Sequence, residues 1–77
     1  LLFKLKEGAT SGKASYKHFG QEFVLVLKGS MEITLNDMNY ILRKGDSIYF
    51  NSSVPHAFKN IGKEDAEAVW VVTPPTF

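Results

Sequence analysis

Phe23-Val24-Leu25-Val26-Leu27-Lys28-Gly29-Ser30-Met31-Glu32-Ile33-Thr34-Leu35-Asn36-Asp37-Met38-Asn39-Tyr40-Ile41-Leu42-Arg43 is the stretch whose reading decides the fold. It is rich in β-branched, aliphatic and aromatic residues, and its apolar pattern has a period of two rather than 3.6. Two turn signals divide it. Gly29-Ser30 suits a two-residue hairpin because glycine reaches positive φ without strain, and Asn36-Asp37 suits a second tight turn. Strands are therefore expected over Phe23–Lys28, Met31–Leu35 and Met38–Arg43.

Those turns set a register. With Gly29-Ser30 as a hairpin, Lys28 faces Met31, Val26 faces Ile33 and Val24 faces Leu35. With Asn36-Asp37 as the next, Leu35 faces Met38, Ile33 faces Tyr40 and Met31 faces Leu42. Opposed residues share a face, so one face carries Val24, Val26, Ile33, Leu35, Tyr40 and Leu42, as a barrel interior would. Glu22 lies in phase with it. A carboxylate aimed into an apolar interior is expensive unless paired or metal-bound. The other face carries Phe23, Leu25 and Leu27, an apolar patch that a second sheet or a partner subunit should cover.

Working outward, Leu1–Lys6 reads as an opening strand and Gly8-Ala9-Thr10-Ser11-Gly12 as a loop. Ala14–Phe19 reads as a second short strand. Beyond Arg43 come a turn at Lys44-Gly45-Asp46, a strand over Ser47–Phe50 and a polar break at Asn51-Ser52-Ser53. Pro55–Lys59 and Ala66–Thr73 are the last two strands. Pro74-Pro75 ends the sheet, since proline cannot donate to a ladder. About eight short strands with no helical period imply a single all-β domain of the sandwich-like barrel class.

The totals narrow the function. In 77 residues, apolar side chains make up 44% and aromatics 13%, enough for one small core. A net charge of +1, with no run of either sign, supplies no basic face for nucleic acid, so any DNA binding must sit elsewhere. Cysteine is absent, which excludes disulfides, thiolate nucleophiles and Cys-based zinc sites and suits a reducing, cytoplasmic setting. No stretch reaches the roughly 20 apolar residues of a membrane helix, and no secretory leader is visible. The chain does not begin with Met, so a longer protein is expected on its N-terminal side. There is no Gly-rich phosphate loop, no Ser-His-Asp arrangement and no second carboxylate in phase with Glu22 for glycosidase chemistry.

The two histidines, His18 and His56, fall inside a pattern. The first part is Tyr16-x-His18-x3-Glu22-x6-Gly29. The second is Gly45-x5-Asn51-x-Ser53-x2-His56-x3-Asn60. This spacing resembles the two motifs of the cupin superfamily across nearly the whole chain, with Tyr16 in place of a histidine, Asn51 in place of proline and Ser53 in place of glycine. The resemblance implies a cupin double-stranded β-helix, a jelly-roll-like barrel. It also implies one divalent metal (Fe, Zn, Ni or Mn) held inside by His18, Glu22 and His56. Two imidazoles and a carboxylate form a facial triad that leaves positions open to water or ligand. The metal-free alternative has Glu22 and His18 gripping an amine, carboxylate or hydroxyl of a ligand. Tyr16, Tyr40, Phe58 and Trp70 are the candidate pocket residues in either case.

His18-Phe19-Gly20-Gln21-Glu22, the Gly45-Asp46-Ser47-Ile48-Tyr49-Phe50 run, Pro55-His56 and the Thr73-Pro74-Pro75-Thr76-Phe77 ending are further similar to the C-terminal domains of bacterial helix-turn-helix regulators. By that resemblance, residues 1–77 are the cupin domain of a longer chain whose N-terminal DNA-binding domain lies outside this sequence. The cupin domain then senses a small-molecule effector and forms a homodimer, DNA being reached only through the other domain. The competing reading is a metal-dependent small cupin enzyme of the oxygenase or isomerase type.

Overall fold

Residues 2–10 and 20–73 are described by the computed structural model of the chain, and their regular structure is all strand. The elements are β1 (Leu2–Leu5), β2 (Gln21–Lys28), β3 (Ser30–Leu35), β4 (Met38–Arg43), β5 (Ser47–Asn51), β6 (His56–Asn60) and β7 (Ala66–Thr73). The expected strand over Ala14–Phe19, with Tyr16 and His18, lies outside the described residues. Among those described, no helix is long and apolar enough to cross a membrane.

Two antiparallel sheets face each other, one in the order β1-β7-β2-β5 and the other in the order β4-β3-β6. The Asn36-Asp37 turn forms as expected, with Asn36 at φ 54, and it sets the register Leu35↔Met38, Ile33↔Tyr40 and Met31↔Leu42. Asparagine tolerates this left-handed conformation better than most residues.

The Gly29-Ser30 hairpin is not formed. β2 pairs with β5 and β7, whereas β3 pairs with β4 and β6, so the two consecutive strands belong to different sheets. Gly29, at φ 76, turns the chain from one sheet to the other, and its backbone passes so close to β7 that a Cβ there would lie 3.1 Å from Ala66 Cα and Asp65 O. A positive-φ glycine serves a hairpin and a corner equally well, and local sequence does not separate them. The consequence is visible at Lys28 and Met31, which the hairpin register puts side by side. Lys28 is exposed and Met31 is fully buried. Val26 and Ile33 are both fully buried as expected, but they belong to facing sheets rather than adjacent strands.

The core is Val24, Val26, Met31, Ile33, Leu42, Phe50, Phe58, Ala66 and Ala68. Each fully buried Val, Ile or Met contributes about 1.5–3 kcal/mol relative to exposure. Phe58 on β6 ties the sheets together, its ring 5.8 Å from Phe3 on β1 and 6.2 Å from Trp70 on β7. Tyr40 departs from the expected interior. It is in phase with Ile33, but β4 is the outer strand of its sheet among the described strands, and Tyr40 is 41% exposed.

On the outer side of the larger sheet, Phe23 and Leu25 are half-buried and Leu27 is exposed. The registers Phe23↔Tyr49, Phe23↔Val71, Leu25↔Val69 and Leu2↔Val69 extend that patch across four strands. Among the described residues, the second sheet packs on the opposite side of this one and no strand lies over the apolar face.

Asn60 and the turn at Asn51 are architectural. Asn60 is buried, and its amide nitrogen donates to Leu5 O at 2.9 Å and Glu64 O at 2.8 Å while Oδ1 accepts from Gly62 N–H at 2.9 Å. It thereby clamps the β6–β7 loop to β1. Where the family pattern has proline and glycine, Asn51 Oδ1 accepts from Ser53 N–H at 3.0 Å and Ser53 Oγ–H at 2.8 Å. An asparagine side chain closing its own turn replaces the two stiff or flexible residues.

Candidate functional site

Alternation along β2 aims Val24, Val26 and Glu22 inward. Glu22 is 1% exposed, set opposite Phe50 on β5 and Val72 on β7. Trp70 faces Val24 across the ladder, which makes it the diagonal inward neighbour of Glu22. Its indole Nε1–H donates to Glu22 Oε1 at 2.7 Å, a short bond of the kind a charged acceptor makes.

His56 opens β6 in the opposite sheet and is 6% exposed. Its ring rests 5.1 Å from Phe50 and 6.2 Å from Phe58, and its Nε2 lies 3.2 Å from Glu22 Oε2. The contact therefore spans the barrel, joining two buried polar groups from facing sheets. Of the residues singled out from sequence, Glu22, His56, Phe58 and Trp70 come together here. Tyr40 lies on the interior side but at the exposed edge, two strands from Phe58 in the row Tyr40–Ile33–Phe58. Among the described residues, no group of three or more His, Cys, Asp and Glu side chains forms, and Tyr16 and His18 lie outside them.

The hydrogen-bond roles at the pair are constrained. His56 Nδ1 is 2.7 Å from Val54 O, a carbonyl that can only accept, so Nδ1 carries a proton. In a neutral imidazole Nε2 is then a lone pair, and it faces a carboxylate oxygen that is also an acceptor. A proton on Nε2, donated to the carboxylate, makes the contact an ion pair, and a cation between the two atoms would satisfy both lone pairs. A histidine whose Nδ1–H is held by a carbonyl while Nε2 points at a carboxylate has the outer-shell arrangement of a metal ligand. Glu22 Oε2 and His56 Nε2 are thus two donor atoms of the kinds that ligate a divalent cation.

One inward polar residue was not anticipated. Ser52 is fully buried, and its Oγ has no hydrogen-bond partner. Its N–H donates to Gly20 O at 2.9 Å, continuing the β2–β5 ladder one step past Gln21↔Asn51. Parity with Phe50 was the available signal, but Asn51-Ser52-Ser53 reads as a polar break and hides it.

Residues 1–72 match the family model described as Cupin domain. The chain belongs to the cupin family. The expected all-β barrel is thus the cupin fold in a single small domain. The cupin sequence is 31% identical over 77 residues to the HTH-type transcriptional regulator PuuR of Escherichia coli, covering 100% of this chain and 42% of that protein. Among solved structures, an HTH_3 family transcriptional regulator from Vibrio cholerae aligns with a TM-score of 0.83 at 25% identity, over 97% of this chain and 42% of that one. A predicted oxalate decarboxylase from Thermotoga maritima aligns with a TM-score of 0.81 at 28% identity, over 92% and 61%. The cupin chain spans less than half the length of the regulators it resembles.

Proposed function

We propose that this chain is the small-molecule-sensing and dimerisation domain of a bacterial transcriptional regulator, a cytoplasmic protein whose DNA contacts belong to a separate N-terminal helix-turn-helix domain. The effector binds inside the barrel around Glu22 and His56, with Tyr16, Tyr40, Phe58 and Trp70 about it. A divalent metal (Fe, Zn, Ni or Mn) is held by His18, Glu22 and His56 and supplies a positive centre with open positions for the effector. The observation that carries the site is the contact of His56 Nε2 with Glu22 Oε2 across the barrel, at 3.2 Å. The regulatory reading is supported by likeness over the whole chain to a helix-turn-helix regulator.

Such a domain works by difference. An effector shifts a dimer between two arrangements only as far as it binds one better than the other. The apolar outer face of Phe23, Leu25, Val69 and Val71 lies on the strands that carry Glu22 and Trp70, so the site and the dimer face share β2 and β7. Metal analysis of freshly purified protein beside a His56→Ala variant tests the site, with a bound divalent ion expected in the parent and lost in the variant. A parent carrying no metal after supplementation with each of the four would end the metal reading. Effector titration that left operator affinity of the full-length protein unchanged would end the sensing reading.

A second reading, a metal-dependent enzyme of the oxygenase or isomerase type, draws support from likeness to a predicted oxalate decarboxylase. The encoding reading frame separates the two. About 65–100 further N-terminal residues with a helix-turn-helix pattern favour the regulator, and a frame opening just before Leu1 favours the enzyme.

A further inference from the structure

The β6–β7 loop meets the corner where the chain passes from one sheet to the other. A Cβ on Gly62 in that loop would lie 3.6 Å from Ser30 N, and Gly29 turns with its backbone against Asp65 and Ala66. Gly62 N–H donates to Asn60 Oδ1, and buried Asn60 is tied in turn to Leu5 and Glu64, so this floor is held in place. Over it opens a groove of about 470 Å³, lined by Gly29, Ser30 and Gly62 together with Arg43, Lys44, Lys63 and Glu64. That volume is within the range of small-molecule sites. The groove lies past the Asn60 end of β6, whereas His56 opens the same strand, about 13 Å away along it.

The charges here do not balance. Three cations, Arg43, Lys44 and Lys63, line the groove with one carboxylate, Glu64. All four are exposed, and among the described residues none of them is placed in an ion pair. The neighbouring acids are engaged by backbone groups. Asp46 Oδ2 accepts from Arg43 N–H at 2.9 Å, and Asp65 Oδ1 accepts from Glu7 N–H at 3.3 Å. Ser30 sits directly opposite Arg43 in the β3–β4 ladder, so its hydroxyl and the guanidinium leave on one face.

We propose that this groove is a second binding site, separate from the barrel interior, for a phosphate group, free or as a small ester. Three cations against one carboxylate match a phosphate monoester, which carries about −1.5 to −2 at pH 7, better than a monocarboxylate. Arg43 supplies a planar fork for two phosphate oxygens, and the lysines supply compact charges for the remaining one. The glycines of the floor let an anion approach the backbone closely. Three cations around one groove serve a single phosphate group and do not make the extended basic stripe that a nucleic acid needs.

The test titrates ¹⁵N-labelled protein at constant ionic strength with inorganic phosphate, with glycerol 3-phosphate and, as a monoanion control, with acetate. Amide shifts at Gly29, Ser30, Lys44, Gly62 and Lys63 should saturate with a Kd of about 1 mM or tighter for a phosphate compound. Tighter binding of the ester assigns it as the ligand, and tighter binding of inorganic phosphate assigns the free ion. Arg43→Gln and Lys63→Gln should each weaken binding about fivefold or more. Lys4→Gln, which removes an exposed charge from β1 outside the groove, should leave it unchanged. Shifts that do not saturate with either phosphate compound, or that gather at Glu22 and His56 instead, would overturn the site. An equal loss in Lys4→Gln would do the same, because it would show only attraction to the charge of the whole chain. Acetate binding as tightly as phosphate would overturn the ligand class.

Discussion

Trp70 donates its indole proton to one oxygen of Glu22 at 2.7 Å, and the other oxygen of the same carboxylate faces His56 Nε2 at 3.2 Å. The indole therefore acts on the site through the carboxylate, fixing which oxygen is presented across the barrel. Trp70→Phe keeps the ring against Phe58 and removes the proton. The expected result is a loss of about 1.5–3 kcal/mol in urea unfolding followed by circular dichroism, and a loss of about 10–100-fold in affinity for a divalent metal. Because this is the chain's only tryptophan, its emission in the parent should change as metal is added. An unchanged spectrum at saturating metal would argue that nothing binds to Glu22.

Glu22→Gln separates charge from shape. An amide keeps an oxygen for Trp70 N–H and turns its nitrogen, a donor, toward the His56 lone pair. That relieves the opposition of acceptors without a cation. The metal-free variant is expected to melt at or above the parent, while its metal content falls to background in elemental analysis. Marked destabilisation of Glu22→Gln would show that the carboxylate charge itself supports the metal-free fold.

Asn60 offers the opposite dissociation. Alanine there strands the carbonyls of Leu5 and Glu64 and the N–H of Gly62. A loss of about 3 kcal/mol or more is expected in denaturant unfolding, with metal content per folded chain unchanged. A selective loss of metal at full stability would place Asn60 in the site rather than in the frame.

Gly29 and Gly45 both have positive φ, at 76 and 89, but of the two only Gly29 would press an added Cβ against a neighbouring strand. Gly45→Ala should cost about 1–2 kcal/mol for the left-handed backbone alone. Gly29→Ala adds a Cβ 3.1 Å from Ala66 Cα and Asp65 O, and should cost distinctly more in the same thermal melts. Equal costs would mean that the corner between the sheets relaxes freely.

Dimerisation is tested on the outer face of the larger sheet. Leu25→Lys in the centre of the outer patch should convert a dimer to a monomer by light scattering after size exclusion, with circular dichroism and metal content preserved. A parent that is already monomeric at high concentration would remove the dimer from the proposed function.

The order of strands β3 to β7, the Asn36 turn and the inward phase of Glu22 were legible in residue pattern, because alternation and turn chemistry are local properties. The pairing of β2 was not. Gly29 satisfies a hairpin and a corner with one backbone conformation, and the choice between them depends on Ala66 and Asp65, almost forty residues away. Tyr40 was misplaced for a related reason, since phase tells which side a residue faces but not whether a further strand covers it. Asn51-Ser52-Ser53 looked like a break because its polar residues close a turn, and the one that points inward is marked only by the ladder it continues.

Sequence by itself determined the class of fold, the cupin spacing and the identity of the acid and imidazole at its centre, because period, turn residues and motif intervals survive without coordinates. Tertiary structure alone decided that Glu22 and His56 meet from facing sheets, that Trp70 holds one carboxylate oxygen, and that the Ser52 hydroxyl has no partner. Each of these depends on how distant strands pair and on how the two sheets close on one core, which no pattern along a single chain encodes.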